Sequence, residues 1–406
     1  MDYYSIWPVL VCLALLLAVA TVLPFGSVDV PPGRRQRISV LDGLRGFLAL
    51  GVFFHHAAIY HRFILDGVWA LPPSTVFILF GQAGVSLFFM ITGYLFWSRM
   101  IAEQGQTDWL SLYIGRVFRI GPLYLLATCT MLAAVFVMTG FRINEPIGHL
   151  FENVLRWLPL GLFRSTEING FENPSRLLAD VTWTLRYEWW FYFSLVVTAF
   201  AARRPKFHLA AVVLILVLSL TYLVLKIGPE KYRLTADCIC MFFEGMCCAS
   251  LQASGLTLRL HDWASSALAV VIGIVIFMSF ETAYSAVPVV FLGIFFYLVI
   301  SGASIFGLLR TRAARRLGDV SYGIYLLQGL VLYFVFSFEP IKTFALVSPA
   351  RHWAVICICA LLLVAFAALA HHWIELPGIR LGKAAITLTG RYLQSKGEID
   401  KQLQNP

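Results

Sequence analysis

Four of the ionisable residues within an apolar stretch of the 406-residue chain, ISVLDGLRGFLALGVFFHHAAIYH, have types and spacing that could do chemistry. They are Asp42, Arg45, His55 and His56. Charged or ionisable side chains are expensive to place in lipid, so those found there usually serve a function. A neutral imidazole can remove a proton from a hydroxyl group near neutral pH. The segment therefore predicts general-base chemistry by a histidine inside a membrane bundle.

The spacing of these residues separates the two histidines. On an α-helix, the eleven-residue step from Arg45 to His56 makes three turns plus about 20°, so both lie on one face, about 16 Å apart in height. Asp42 lies within about 60° of that stripe, whereas His55 is displaced by about 100° from His56. We expect His56 to face the bundle interior as the base. A histidine bonded to a neighbouring membrane helix is the alternative interpretation.

The composition provides the elements that must position these side chains. Hydrophobic residues make up 59% of the chain and charged residues only 13%, against about 25% charged residues in soluble domains. Repeated apolar stretches of about 20 residues fit the hydrocarbon thickness of a bilayer. They predict an all-α, polytopic transmembrane bundle with helices near 5–23, 42–60, 76–97, 119–139, 181–202, 207–226, 234–252, 263–280, 286–306, 318–338 and 352–374.

Charge and cysteine usage exclude two other classes of function. The formal net charge is +9, but the basic residues form short clusters between apolar stretches, which is typical of cytoplasmic loops rather than of nucleic-acid binding. The eight cysteines include no CxxC pair. We therefore expect buried thiols and predict no metal site.

Most Lys and Arg residues outside the helices fall on one side of the predicted bundle, and basic loops are retained in the cytoplasm. This places the C-terminus in the cytoplasm and, with eleven spans, the N-terminus outside. The long connection 140–180 is then external, and we expect it to be structured. The predicted units are an extra N-terminal transmembrane helix with a basic cytoplasmic loop (1–37), a transmembrane domain (38–376) and a cytoplasmic tail (377–406).

Five elements, in order, resemble the acyltransferase-3 type of membrane acyltransferases, which O-acylate bacterial O-antigens, exopolysaccharides and related glycans. The family's Arg, ten intervening residues and His correspond to Arg45 and His56. The family's Arg-x-x-Arg-Ile-x-Pro element is similar to YIGRVFRIGPLYLL, through Arg116 and Arg119. Its Trp-Ser/Thr-Leu-x-x-Glu element is similar to TWTLRYEWWFY, through Glu188. GQAGVSLFFMITGYLFW and LGDVSYGIYLLQ resemble two further elements. The resemblance runs from about residue 38 to 376, across ten helices, and the first helix is extra to that core.

The resemblance implies an acyl-CoA donor, most commonly acetyl-CoA, as a substrate rather than a permanently bound cofactor. Arg45, Arg116 and Arg119 would grip its phosphates, because guanidinium groups at the cytoplasmic helix ends can bind them bidentately. Cytoplasmic anchoring is the alternative for Arg116 and Arg119. The resemblance also implies a cell-surface or lipid-linked glycan as acceptor and a place in the bacterial inner membrane, among its lipids.

Glu188 lies near the outer end of its predicted helix. A carboxylate there could hold sugar hydroxyls or orient His56, and we assign Asp42, Glu188 and His56 to one catalytic set. Trp183 and Tyr192 are the candidate sugar-binding residues, since aromatic rings stack on sugar faces. An interfacial aromatic belt predicts the same enrichment of Trp and Tyr.

Two routes of transfer remain open: His56 acts as the base for direct transfer, or as the nucleophile that carries the acyl group outward. Asp42, Arg45 and His56 would also suit a transporter or flippase for a glycan-lipid precursor, in which they relay protons or hold an ion, although no internal repeat is evident. Gln328 stands where many relatives place His. This departure puts a second catalytic histidine in doubt and leaves an inactive, receptor-like or scaffold protein as a third interpretation.

Overall fold

A computed structural model describes residues 2–22, 39–163, 167–204, 207–226, 229–258 and 260–404, with side chains through residue 391. Within these ranges the chain forms helices and connecting loops, and the only β-pairing is an isolated bridge between Ile168 and Phe171. The α-helices are α1 (Trp7–Val22), α2 (Ser39–Asp66), α3 (Thr75–Ala102), α4 (Trp109–Met138), α5 (Ile147–Trp157), α6 (Trp183–Ala202), α7 (His208–Leu225), α8 (Arg233–Ala253), α9 (Asp262–Ser279), α10 (Ala286–Ile300), α11 (Arg312–Asp319), α12 (Ser321–Phe336), α13 (Glu339–Leu346), α14 (Pro349–Ala370) and α15 (Leu376–Gln404).

The predicted all-α polytopic bundle is confirmed. Each of the eleven predicted apolar segments contains a helix. Among the described residues, seven helices are long and apolar enough to cross a membrane, or eight if α11 and α12, which meet at a bend of 66°, form one broken span. α1 and α10 are apolar but shorter. Helices satisfy their backbone hydrogen bonds internally, as the hydrocarbon core of a membrane requires.

Glycines set the closest contact between α3 and α8. Gly93 of α3 lies against the carbonyl of Phe242 in α8, and Gly245 of α8 lies against the carbonyl of Met90 in α3. A Cβ atom at either glycine would collide with the partner backbone. Because lipid tails are as apolar as the helices, membrane helices associate largely through such close van der Waals packing. The reciprocal contact fixes α3 in the centre of the bundle.

The long connection between α4 and α6 is structured, as predicted. It contains the amphipathic helix α5 and a 3₁₀ turn, Pro174–Leu178. The hydroxyl of Tyr124, midway along α4, donates to the carbonyl of Trp157 (2.8 Å). The indole of Trp189 in α6 donates to the carbonyl of Leu160 (3.1 Å). The connection therefore packs into the bundle between α4 and α6.

The extra N-terminal helix is tied to the core by a buried arginine. The guanidinium of Arg316 in α11 donates to the carbonyls of Ala20 (2.8 Å) and Thr21 (2.9 Å) at the end of α1. A cation at this position complements the negative end of the helix dipole. The basic loop predicted before residue 38 lies outside the described residues.

At the other end of the chain, α14 continues through a π-helical turn, His371–Glu375, into α15. Gly378 and Gly382 of α15 lie against Pro122 and Phe118 of α4. The segment assigned to a cytoplasmic tail is therefore helical, and its first turns pack against α4.

Candidate active site

A cavity of about 650 Å³ lies among α2, α3, α4, α6 and α12. Its wall on α3 extends from Ala102 to Val85, about 26 Å along the helix axis. The volume falls within the usual range for small-molecule sites. The cavity therefore begins beside the end of α3 and reaches deep into the bundle.

The three predicted donor-binding arginines meet in this cavity. Arg119 lies close enough to Arg45 and Arg116 for their charges to act on it. The guanidinium of Arg116 lies 4.8 Å from the ring centre of Phe96 and 5.8 Å from that of Tyr192. Three guanidinium groups in a partly enclosed space create a positive potential that favours a polyanion such as a phosphate ester.

α4 carries two of these arginines in its second and third turns, and local interactions fix that part of the helix. The carboxylate of Asp108 caps the helix by accepting from the backbone N–H of Ser111 (3.1 Å). Hydrogen bonds from Ser111 lower the pKa of Asp108. Further along, Pro122 has no N–H to donate to the carbonyl of Phe118, and Gly378 of α15 packs at this point.

Glu188 lines the same cavity as the arginines. Its carboxylate accepts a short hydrogen bond from the hydroxyl of Tyr192, which is fully buried. The sequence placed Glu188 toward the outside and Tyr192 in a sugar-facing wall, whereas the structure places both beside Arg116. The connection before α6 explains this position. It is bonded to the middle of α4 by Tyr124, and its Gly161 lies against the carbonyl of Thr182 just before α6. α6 therefore begins inside the bundle.

His56 is oriented by its own helix. Its Nδ1 lies 2.9 Å from the carbonyl of Val52. Because a carbonyl can only accept, this bond places a proton on Nδ1, and Nε2 is then the nitrogen that can accept a proton. The side chain of Gln328 in α12 and the backbone of Ala179 lie beside the ring. The arrangement can accept a proton at Nε2.

His55 has a different environment. Its Nδ1 donates to the carbonyl of Phe77 in α3 (2.8 Å), its ring packs against Gly81, and only 8% of the residue is exposed. These contacts join α2 to α3, as expected of a structural histidine. Both histidines contact other elements of the bundle, so burial alone does not distinguish them. Their hydrogen-bond partners distinguish them.

Asp42 is far from His56, one of its predicted catalytic partners. Because α2 is continuous from Ser39 to Asp66, the step from Asp42 to His56 spans about 21 Å. The backbone of Asp42 packs against Gly318 of α11. Glu188 bonds to Tyr192 rather than to His56. The geometry therefore does not bring the predicted set of Asp42, Glu188 and His56 to one atom.

The inner end of the cavity reaches the neighbourhood of His56. Tyr325 and Thr184 line that end, and their hydroxyl oxygens lie 2.9 Å apart. One turn further along α12, the amide of Gln328 donates to the carbonyl of Tyr325 (2.7 Å). A single helical turn of α12 thus separates the cavity wall from the surroundings of His56.

A smaller pocket, of about 230 Å³, is lined by Phe163, Ser175, Asp180, Thr182, Trp183 and Arg186. It contains Trp183, one of the predicted sugar-binding residues. Ala179 and Asp180 both adopt positive φ angles, 53° and 54°. Non-glycine residues in this conformation store about 1–3 kcal/mol each and cluster at functional sites.

Sequence reasoning missed several residues of this region. Tyr322 and Tyr325 both line the arginine cavity, and the hydroxyl of Tyr322 donates to the carbonyl of Ile120 (2.9 Å). Their three-residue spacing, which places both on one helix face, was the available signal. Asp180 follows the 3₁₀ turn, and no periodic pattern marks it.

Comparisons with known proteins identify the family of the chain. A family model described as an acyltransferase domain matches residues 38–370. Nodulation protein 10 from Rhizobium leguminosarum bv. viciae is 26% identical over 362 residues, which cover 84% of the chain and 93% of the relative. Acyltransferase MdmB from Streptomyces mycarofaciens is 31% identical over 172 residues, or 40% of the chain and 39% of that protein. No solved structure gives a significant match.

Proposed function

The chain belongs to the acyltransferase family whose model matches residues 38–370, and from this premise we propose that it moves an acyl group from acyl-CoA to a hydroxyl of a glycan. Acetyl-CoA is the proposed donor, and a cell-surface or lipid-linked glycan is the proposed acceptor. The proposed location is the bacterial inner membrane, with the C-terminus in the cytoplasm and the N-terminus outside.

The convergence of Arg45, Arg116 and Arg119 on one deep cavity is the observation that carries the proposal. A CoA thioester has phosphates at one end and a long, narrow pantetheine arm that ends in the acyl group. The cavity offers guanidinium groups near the helix ends and an apolar wall along α3. Phosphates held by the arginines would direct the thioester toward Tyr325 and Thr184.

His56 supplies the proposed base. Nε2 takes the proton of the acceptor hydroxyl, and the oxygen attacks the thioester carbonyl carbon. A C–O bond forms, the C–S bond breaks, and the CoA thiolate takes the proton from His56. The alternative route, in which His56 first accepts the acyl group, uses the same nitrogen.

The smaller pocket is the proposed acceptor site. Trp183 offers an aromatic face to a sugar ring, and Asp180 and Arg186 offer polar groups to its hydroxyls. Its modest volume suits one ring-sized group. Asp180 of this pocket is next to Ala179, whose backbone lies beside His56.

The test uses membranes that contain the full chain, labelled acetyl-CoA and mass spectrometry of the surface polysaccharide. Wild-type membranes should add an acyl group to the polysaccharide, and His56→Ala should abolish the transfer. His372→Ala, which removes an exposed histidine from the π-helical turn, should leave it intact. Full transfer by a correctly inserted His56→Ala protein would overturn the role of His56. Unchanged acylation with defective glycan export in cells lacking the chain would favour a flippase instead.

A further inference from the structure

Gln328 has a buried acceptor that the folded protein does not use. The residue is fully buried, and its amide nitrogen donates to the carbonyl of Tyr325 (2.7 Å). The amide oxygen, Oε1, has no hydrogen-bond partner. Leaving a buried acceptor unpaired costs about 1–3 kcal/mol. Such a group is expected to find its donor in another state of the site.

The side chain of Gln328 lies beside the His56 ring, and the bond to Tyr325 fixes which end of the amide remains free. While His56 is neutral, its Nε2 is an acceptor and cannot donate to Oε1. Once Nε2 carries a proton, both ring nitrogens are donors. The carbonyl of Val52 accepts at Nδ1, and Oε1 of Gln328 can then accept at Nε2.

The backbone holds this arrangement in place. Gly329, next to Gln328, lies against the backbone of Leu178 and Ala179, and the backbone of Ala179 also lies beside His56. A Cβ atom at Gly329 would collide with that turn. The register of α12 against the turn is therefore fixed, and with it the position of Gln328.

We propose that Gln328 is a positioning residue that stabilises the protonated form of His56 between removal of the acceptor proton and its delivery to the CoA thiolate. This inference rests on the proposed function. The proton moves from the acceptor hydroxyl to Nε2 and from Nε2 to the leaving sulfur. Oε1 accepts a hydrogen bond from Nε2–H in the interval and exchanges no atom.

The test is the pH profile of kcat/KM for Gln328→Leu and Gln328→Glu, with correct insertion checked by size-exclusion chromatography in detergent. The acidic limb of the profile reports the protonation of the base. Gln328→Leu removes the acceptor, so the limb should move to lower pH and kcat should fall about tenfold, with KM for acetyl-CoA unchanged. Gln328→Glu places a carboxylate beside the imidazolium, so the limb should move to higher pH.

Other titratable groups surround His56 and must be separated from this effect. They are His55, whose ring contacts that of His56, Tyr60, one turn along α2, Tyr325, one turn from Gln328 on α12, and Asp180, next to Ala179. Asp180 is the carboxylate of this set, and Asp180→Asn is measured in parallel and in combination with both Gln328 variants. Because Asp180 is present in both Gln328 variants, its charge affects both pH profiles in the same way and cannot produce shifts of opposite sign.

Opposite shifts support the inference, and shifts in one direction, or none, overturn it. If Gln328→Leu fails to insert, Gln328→Met replaces it, because its unbranched chain adapts to the same space. In a His56→Ala background, Gln328→Leu should cause no further loss. Full activity of His56→Ala would refute the proposed function itself. An inactive His56→Ala protein with unshifted Gln328 variants would refute only the role of Gln328.

Discussion

At the residue scale, hydrogen-bond partners distinguish two adjacent histidines that composition cannot. His55 donates to a carbonyl of a different helix, so its loss would loosen the packing of α2 on α3. His56 donates to a carbonyl of its own helix, a bond that fixes the tautomer without tying the ring to another element. Gln328 of α12 and the backbone of Ala179, in the turn before α6, lie beside the His56 ring. These contacts fit a structural role for His55 and a reactive role for His56.

The arginine cavity leads to a prediction about donor binding. Replacing Arg45 with Gln should raise KM for acetyl-CoA about tenfold or more, because a hydrogen bond to a charged group contributes about 1.5–3 kcal/mol. The effect should be much smaller with acetyl-pantetheine, which lacks the nucleotide phosphates. Steady-state kinetics with both donors measures the difference.

Arg203→Gln is the matched control for Arg45→Gln. The guanidinium of Arg203 lies 4.5 Å from the ring centre of Phe200, at the end of α6. Its replacement should leave both KM values unchanged. An equal rise of KM for the two donors in Arg45→Gln would argue that Arg45 shapes the cavity without holding phosphate.

At the element scale, the helices were predictable and the position of one of them was not. Apolar stretches of membrane length specify helices regardless of tertiary context, so each predicted segment contains one. The depth at which α6 begins depends on the packing of Leu160 and Gly161 against α4 and α6. Loop packing leaves no periodic signal in the sequence. The convergence of Glu188 with the arginines was therefore missed, while the grouping of the arginines was not.

The contact of α12 with the turn at Ala179 can be tested by adding a single methyl group. Gly329→Ala should abolish most activity and lower the melting temperature, because the new Cβ would meet backbone atoms of Leu178 and Ala179, which cannot rotate away. Thermal unfolding in detergent and labelled acetyl transfer provide the two measurements.

Gly273→Ala in α9 is the control for that substitution, since a Cβ there meets no atom within 4 Å. Alanine favours helix over glycine by about 1 kcal/mol, so this variant should be as stable as the wild type or slightly more so. Wild-type stability and activity in Gly329→Ala would mean that the turn yields and that its strained geometry is dispensable.

At the scale of the whole molecule, the proposed site consists of two pockets, one lined by the arginines and one by Asp180 and Trp183. The arginine cavity begins at the end of α3, on the same side as the start of α2. The Tyr325 and Thr184 hydroxyls close its inner end. The strained Ala179–Asp180 segment borders the smaller pocket. Donor binding in the arginine cavity and acceptor binding in the smaller pocket, as proposed, would allow the two substrates to remain on different sides of a membrane.

This architecture predicts vectorial transfer. In sealed inside-out vesicles, labelled acetyl-CoA added to the medium should label the acceptor inside, since the arginine cavity would face the medium. Right-side-out vesicles should stay unlabelled until detergent opens them, because acetyl-CoA, a polyanion, does not cross the bilayer. A protease-sensitive tag after the last residue should be cleaved only in the inside-out vesicles, which checks the orientation independently. Equal labelling of both sealed preparations, with the tag on one side only, would mean that the donor reaches His56 from either face and that transfer is not vectorial.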